Sequence, residues 1–181
     1  KKIVGVFDYK LVEKNLIKNN RLIHSKSILN LNLILKKIFD NQKIKCLIQI
    51  GANDGSRFDE LNIFIKKYKI KSVLVEPINE YFEDLKRNYK NFKNVYFENS
   101  AITVGTKKKE IFVVNNKNLD DYDEHIKGIS SFDKNHLIKH GVKSNHILKK
   151  KINCISILNL LKKYNISNLD ILFIDAEGYD G

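Results

Sequence analysis

Two short segments of this sequence carry residues of the types that bind a nucleoside. Residues 46–50 are apolar apart from one Gln, and they run into a turn that begins and ends with glycine. A second apolar segment, residues 72–75, is followed by an acid. Glycines let the backbone approach a ligand closely, and an acid at the end of the neighbouring parallel strand can accept the hydroxyls of a ribose. The pattern predicts a nucleoside site with these members: Gly51, Asn53, Asp54, Gly55 and Glu76.

The spacing of the glycines indicates which kind of nucleotide would fit. A dinucleotide-binding turn has the pattern Gly-x-Gly-x-x-Gly and aims a helix N-terminus at a pyrophosphate, but here the third glycine is missing. A Gly-x-Asn-x-Gly turn near an acid suits a ligand without phosphate, and a cationic ligand best. S-adenosylmethionine is such a ligand, because it is an adenosine that carries a sulfonium and an amino acid. Taken singly, the turn also fits a plain strand-to-helix connection, and Glu76 also fits a helix cap.

Further polar residues follow other apolar segments at the same predicted edge of the sheet. Asp175 and Glu177 follow the last apolar run of the chain. The carboxyl ends of parallel strands are where ligands bind in open α/β sheets. Either acid could contact the ammonium or sulfonium of the cofactor, or accept a proton from a substrate hydroxyl. Asn99 and Ser100 could contact an adenine or simply end their strand, and Ala101 leaves room for a ring.

Strands and helices alternate through much of the chain. Short apolar runs predict strands, and apolar residues at helical spacing predict the helices between them. The predicted strands are residues 46–50, 72–76, 94–98 and 171–174, the last of them buried, and the predicted helices cover about 58–68, 77–89 and 156–164, with Ser156 as an N-cap. This order is typical of an α/β fold with a parallel sheet and helices on both faces.

Two stretches break this alternation. Residues 102–106 and 110–114 flank three lysines and predict a β-hairpin with a charged turn. Residues 115–150 are polar, contain four histidines, and predict a loop-rich or partly helical insertion of the kind that is often functional.

His136 and His140 have the i, i+4 spacing of metal ligands. Because the Glu of a His-Glu-x-x-His motif is missing, we favour a solvated helix face and expect no metal site.

Composition is that of an ordinary globular domain. The chain has 181 residues, 43% of them apolar, and no run of 18 apolar residues that could span a membrane. A signal peptide is not expected, since the basic start lacks a cleavage site, and the missing initiating Met indicates part of a longer protein.

Cys46 and Cys154 lie in apolar runs without metal or redox spacing. Two buried thiols in a reducing, cytoplasmic setting are the better interpretation.

The formal net charge of +12 is unevenly distributed. Residues 1–45 hold 11 basic and 3 acidic residues and predict one or two helices over 8–40, whereas residues 46–181 hold 22 and 18. A basic segment can bind nucleic acid. Lys and Asn are common along the whole chain, however, so solvated surface is the preferred interpretation. We expect a basic helical N-terminal segment over 1–45 and a cofactor-binding domain over 46–181.

Five short motifs, taken in order, resemble the FkbM family of S-adenosylmethionine-dependent methyltransferases. They are Gln-Ile-Gly-Ala-Asn-Asp-Gly (49–55), Val-Glu-Pro (75–77), Asn-Ser-Ala-Ile (99–102), Gly-Ile-Ser-Ser-Phe (128–132) and Ile-Asp-Ala-Glu-Gly (174–178). The resemblance covers roughly residues 46 to 180. It implies a Rossmann-like class I methyltransferase sheet and O-methylation, often of a sugar or polyketide hydroxyl. Because the family fold continues through about three more strands, we expect a sheet that is truncated after about its fourth core strand.

The resemblance also implies a role for each matching residue. It implies that the cofactor loop consists of Gly51, Asn53, Asp54 and Gly55. It implies that Glu76 accepts the ribose hydroxyls, and that Ser100 and Ala101 lie beside the adenine. For the substrate it implies contact with the serine pair Ser130 and Ser131. Gln49 stands where many methyltransferases carry an acid, and Asp180 stands where the family usually has Glu.

The catalytic base is expected among the acids of the late motif. A hydroxyl nucleophile gains from a base, and we expect Asp175 or Glu177 in that role, with His125 or His136 as second choice. The preferred function is therefore methyl transfer from S-adenosylmethionine to a hydroxyl of a small molecule or sugar. Two alternatives stay open: a nucleic-acid methyltransferase that uses residues 1–45, and a non-catalytic cofactor-binding fragment.

Overall fold

A computed structural model describes residues 31–57, 59–105 and 107–176. These residues fall into two units, 31–43 and 44–176. The first unit contains the helix α1, Leu31–Asn41. The remainder of the helical segment predicted over 8–40 lies outside the described residues. Within those residues, every helix is too short or too polar to cross a membrane.

The second unit alternates strands with helices. Its strands are β1 (Cys46–Ile50), β2 (Lys71–Val75), β3 (Val95–Glu98), β4 (Ala101–Ile102), β5 (Lys108–Val114), β6 (Ser130–Ser131), β7 (Ile147–Ile155) and β8 (Ile171–Ile174). Its helices are α2 (Leu61–Tyr68), α3 (Asn79–Asn88), α4 (Glu124–Lys127), α5 (Lys134–Lys139) and α6 (Ile157–Lys163). Two 3₁₀ turns cover Asn116–Asp121 and Ser144–His146.

Four strands form the predicted parallel sheet, in the order β3-β2-β1-β8. All residues of β1 are buried, and so are all but the first residue of β2. Continuous apolar runs of this kind are typical of central strands between two layers of helices. The four strands predicted for this sheet are therefore confirmed, each to within one residue at either end.

Helices cover both faces of this sheet. On one face, Ile48 and Val73 pack with Leu160 of α6. Successive residues of a strand point to opposite faces, so Gln49 lies on the other face. There its side chain donates a hydrogen bond to Asp59, which lies just before α2 (3.1 Å). The two-faced α/β arrangement predicted from the sequence is confirmed.

Local residue types set where these helices begin and end. Ser156 accepts a hydrogen bond from the N–H of Asn159 (3.2 Å), which confirms the predicted N-cap of α6. Lys69 is the C-cap that follows α2, and it adopts a left-handed φ of +49° and donates its N–H to the carbonyl of Ile65. Pro77 lies between β2 and α3, where a residue without an N–H can end a strand.

The predicted hairpin over 102–106 and 110–114 is wrong. Within the described residues, β4 and β5 do not pair with each other, and both pair with β7 instead. The β4–β7 pairing is parallel, and β5 runs antiparallel to β7 along its whole length. With β6 on the far side of β5, these strands make a second, mixed sheet in the order β4-β7-β5-β6.

Residues 115–150 fold around a small apolar core. Ile126, Ile129, Leu137 and Val142 pack together there with Val114 at the end of β5, and Leu137 is fully buried. The predicted insertion is thus built from short helices, β6 and the start of β7.

Strand β8 is less buried than its apolar sequence predicted. Leu172 and Ile174 are each 44% exposed. Among the described residues, β1 is the only strand that pairs with β8. The prediction of a fully buried strand is therefore wrong, because β8 forms an edge of the described sheet.

Candidate functional site

A cavity of about 870 Å³ lies at the carboxyl ends of β1, β2 and β8. This volume is within the range of sites that bind small molecules and cofactors. Residues of β4, β5 and β6 and the start of α6 complete its wall. The predicted site residues that line it are Gly51, Asn53, Glu76, Ser100, Ala101, Ser130, Ser131 and Asp175.

Glu76 is a buried acid in this cavity, with 5% of its surface exposed. Its two carboxylate oxygens accept hydrogen bonds from the N–H groups of Asn53 (2.9 Å) and Ile78 (2.8 Å). Burial raises the pKa of Glu76 to about 7, since these two bonds offset only part of the lost hydration. Each oxygen keeps a second lone pair, so the carboxylate can hold the turn and still accept two hydroxyls from a ligand.

Asn99 binds the backbone at Glu76 and Pro77 and is not among the described residues that line the cavity. Its side-chain amide donates to the carbonyl oxygens of Glu76 (2.9 Å) and Pro77 (3.3 Å). Of the two interpretations of Asn99, these contacts favour the one in which it ends a strand.

Gly51 lets the ends of β1 and β8 meet. Its φ is +79°, and a Cβ at this position would overlap the carbonyl oxygen of Asp175. The N–H of Asp175 in turn donates to the carbonyl of Ile50 (2.9 Å). Gly51 is therefore required by the packing of two strand ends, independently of any ligand.

Asp54 and Gly55 are not among the described residues that line the cavity. The Asp54 carboxylate accepts hydrogen bonds from the N–H groups of Ser56 and Arg57 (both 2.9 Å), and it pairs with the Arg57 guanidinium (2.6 Å). A Cβ on Gly55 would overlap the side chain of Leu85 in α3. These contacts shape the turn and allow α3 to pack closely against it.

Ser100 belongs to a buried polar network behind the cavity wall. Its hydroxyl donates to Glu98 (2.8 Å), whose other oxygen accepts from Lys163 (2.7 Å) and Tyr164 (3.0 Å). Burial alone would raise the pKa of Glu98, but the hydrogen bonds from these three side chains outweigh it and lower the pKa. Ser100 is thus fixed in place beside the small Ala101, and this network ties β3 to the end of α6.

The insertion contacts the glycine turn directly. A Cβ on Gly128 would lie 2.5 Å from the side-chain nitrogen of Asn53. The Tyr81 hydroxyl of α3 donates to the carbonyl of Lys127, the residue before Gly128. Burial, followed by the nearby charge of Glu76, raises the pKa of Tyr81 to about 12, so this hydroxyl stays a donor at physiological pH. The insertion is therefore attached to both the turn and α3.

The predicted serine pair forms β6, which pairs with β5 at the cavity wall. Ser131 is buried, and its hydroxyl accepts a hydrogen bond from the N–H of Asp133 (3.2 Å). Ser130 is half-buried and lies opposite Val113. Of the two, Ser130 has the more accessible side chain.

The predicted catalytic groups are spread over different parts of the site. Asp175 is exposed and lines the cavity, whereas Glu177 lies outside the described residues. His125 is exposed and also lines the cavity. His136 is not among the described residues that line the cavity, and its ring lies against that of His140 with centroids 4.6 Å apart and the planes tilted by 41°.

Gln49 and Asp59 form a pair in the cavity wall, and the sequence analysis did not identify Asp59 as part of the site. Gln49 is 3% exposed, and its amide donates to the Asp59 carboxylate. The same carboxylate oxygen accepts from the N–H of Leu61 (2.9 Å), and burial raises the pKa of Asp59. An Asp just before a helix is normally interpreted as a cap, and only the fold brings this one to β1.

Negative charge dominates the cavity. Among the described residues that line it, five are acidic and two are basic: Asp59, Glu60, Glu76, Glu124 and Asp175 against Arg57 and Lys109. Arg57 is itself paired with Asp54 and lies 3.5 Å from Glu124. A cavity with this balance favours a cationic ligand over a polyphosphate.

The comparison with protein families gives a match over the whole of this site. A model described as the methyltransferase FkbM domain matches residues 49–181. The matched range begins at Gln49 in β1 and includes the turn, Glu76, the second sheet and β8. The comparison with curated proteins gave no match.

Proposed function

The chain belongs to the FkbM methyltransferase family, and we propose that it transfers a methyl group from S-adenosylmethionine to a hydroxyl of a small molecule or sugar. Glu76 carries this proposal. It is a buried carboxylate that lines a cofactor-sized cavity at the carboxyl ends of two parallel strands. That is the position from which an acid accepts the hydroxyls of a ribose.

The residues around Glu76 fit the other parts of S-adenosylmethionine. Ser100 and Ala101 follow β3, on one side of Glu76, and a small side chain there suits a flat adenine ring. In the other direction the sheet leads through β1 to β8, and the acidic balance of the cavity suits the cationic end of the ligand. When bound, S-adenosylmethionine supplies an electrophilic methyl group on its sulfonium.

The acceptor is proposed to bind between β6 and the end of β8. The half-buried Ser130 can exchange hydrogen bonds with an acceptor hydroxyl, and Asp175 can take up the proton that the hydroxyl loses. Most of the acceleration would come from holding the attacking oxygen about 3 Å from the methyl carbon. The acidic cavity disfavours a polynucleotide acceptor, since its phosphates would be repelled.

Calorimetric titration of the 181-residue protein tests the cofactor assignment. We expect saturable binding of S-adenosylmethionine and of S-adenosylhomocysteine, with NADH as the matched negative ligand because the turn lacks the third glycine of a pyrophosphate site. Circular dichroism on the same sample establishes that the protein is folded. A folded protein that binds neither sulfur compound would refute the proposal for this chain.

A methyl-transfer assay tests the role of Asp175. With tritiated S-adenosylmethionine and a panel of simple saccharides and polyols, Asp175→Asn should lower turnover by about 10²–10⁴-fold. Binding of S-adenosylhomocysteine should change by less than about twofold, because the amide keeps the size of the side chain. His125→Ala is the matched comparison, since His125 is the other candidate base on the cavity wall. Normal turnover by Asp175→Asn together with loss in His125→Ala would reverse the assignment.

A further inference from the structure

Asp59 and Gln49 have hydrogen-bonding capacity that the protein itself does not use. One Asp59 oxygen accepts from both the Gln49 amide (3.1 Å) and the N–H of Leu61 (2.9 Å). The other Asp59 oxygen and the Gln49 carbonyl oxygen are buried, and neither has a hydrogen-bond partner in the part of the chain that the structure describes. Buried polar atoms in folded proteins are rarely left in this state. Because both residues line the cavity, a ligand is a suitable partner.

The position of this pair determines which part of a nucleoside ligand it can reach. Glu76 follows β2, and the strand order is β3-β2-β1-β8. If the base of the nucleoside lies toward β3, the substituent on its ribose extends over β1. Gln49 is the second-last residue of β1 and holds Asp59 there. In S-adenosylmethionine that substituent carries an amino acid with a cationic ammonium group.

We infer that Asp59, held in place by Gln49, binds the α-ammonium group of S-adenosylmethionine. The inference depends on the proposed function and adds to it a binding residue outside the turn and the ribose acid. An ammonium group has three N–H donors, and the two unpartnered oxygens of this pair can accept two of them. Since the residue on β1 itself is a neutral Gln, Asp59 brings the negative charge to this point from the start of α2. Burial raises the pKa of Asp59, and a bound cation would oppose that effect.

The simpler role for Asp59 is that of a cap for α2, and one substitution separates the two roles. Asparagine caps helices about as well as aspartate. Asp59→Asn can therefore retain the oxygen that accepts from Leu61 and Gln49, while it removes the charge and replaces the unpartnered oxygen with an NH2 group that cannot accept a hydrogen bond. Asp59→Ser serves as a second variant, because Ser also caps helices and carries no charge.

Calorimetry with two ligands tests the inference on the full 181-residue chain. S-adenosylhomocysteine contains the amino acid, whereas 5′-methylthioadenosine has the same nucleoside without it. We expect Asp59→Asn to weaken binding of S-adenosylhomocysteine by about tenfold or more, through loss of a charge-assisted hydrogen bond. Its affinity for 5′-methylthioadenosine should stay within about twofold of that of the wild type. Glu83→Gln removes one exposed charge from α3, outside the cavity lining, and should leave both affinities within about twofold.

Each outcome has a distinct meaning. If Asp59→Asn and Asp59→Ser bind S-adenosylhomocysteine as well as the wild type does, Asp59 does not contact the ammonium and the inference is overturned. Equal losses for both ligands, or an equal effect of Glu83→Gln, would also overturn it, because the effect would then come from the fold or from the general field of the protein. Failure of the wild-type protein to bind either ligand would refute the proposed function itself.

Discussion

Replacing Glu76 with Gln would remove the ability of this buried group to ionise, and the change should appear in how the stability of the protein depends on pH. Burial raises the pKa of Glu76 from its ordinary value of 4.5 to about 7. In the folded protein the Glu76 carboxyl therefore stays mostly protonated up to about pH 7, whereas in the unfolded chain it ionises near pH 4.5. The stability that this group contributes is fully present below about pH 4.5 and is lost as the pH rises toward 7.

The size of this effect follows from the two pKa values. The difference between 4.5 and about 7 corresponds to about 3 kcal/mol in the free energy of unfolding. Gln does not titrate, so Glu76→Gln should lack this slope. Gln also offers only one acceptor oxygen to the two N–H groups of Asn53 and Ile78, and the mispaired donor costs about 1–3 kcal/mol. We expect the variant to be the less stable protein at pH 5 and to equal or exceed the wild type at pH 8.

Ligand binding should depend on pH in the opposite direction. The ionised carboxylate is the better acceptor for ribose hydroxyls, and with a pKa of about 7 its ionised fraction rises about tenfold between pH 6 and pH 8. The affinity of the wild type for 5′-methylthioadenosine should rise by up to about tenfold over that range. Glu76→Gln should bind more weakly at pH 8 and show no such rise.

Urea unfolding followed by far-ultraviolet circular dichroism at pH 5 and pH 8 measures the stability of both proteins. Calorimetry with 5′-methylthioadenosine at pH 6 and pH 8 measures binding, and this ligand avoids the titrating amino acid of the full cofactor. All other ionisable groups are the same in the two proteins, so their contributions largely cancel in the comparison. Equal pH dependence of stability in the wild type and Glu76→Gln would refute the argument from burial.

Two further substitutions test how the turn is held. Gly51→Ala should destabilise the protein by about 3 kcal/mol or more, because a Cβ there overlaps the carbonyl of Asp175 at a φ of +79°. Gly105→Ala is its control, because Gly105 has a φ of +78° and no described atom lies within 4 Å of the added Cβ. This control should cost only about 1–2 kcal/mol in the same urea experiment. Similar losses in the two variants would contradict the overlap argument. Tyr81→Phe should cost about 1 kcal/mol and speed hydrogen exchange in residues 124–131, because its hydroxyl holds the carbonyl of Lys127; unchanged exchange would show that this bond does not hold the insertion.

The two sheets differed in how far the sequence could predict them. The strands of the parallel sheet are short apolar runs bounded by turn residues, so each is recognisable by itself. Strand β7 contains three consecutive lysines, Lys149 to Lys151, which hide it in a polar stretch. Its partner is distant in sequence, since Lys108 in β5 pairs with Asn153 in β7. A pairing across such a distance leaves no local pattern, and the adjacent segments 102–106 and 110–114 imitated a hairpin.

The site shows the same division between local and long-range information. The glycine turn and Glu76 could be identified because each follows an apolar run that ends at the edge of the sheet. The glycines nevertheless carry less information about a ligand than their pattern implies. Gly51 is required by the approach of β8, and Gly55 is required by the approach of α3. The pairing of Asp59 with Gln49 could not be predicted, because the two residues meet only once α2 has packed on the sheet.

Glu76, the proposed ribose acceptor, and the insertion are linked through a single turn residue. Glu76 fixes the backbone of Asn53, and the side chain of Asn53 fills the space that a Cβ on residue 128 would need. Gly128 is followed within two residues by Ser130 on the cavity wall. A change in the turn would therefore displace the wall that is proposed to hold the acceptor. A Cβ at position 128 would displace the side-chain amide of Asn53, so we expect Gly128→Ala to alter the contact between the turn and the insertion.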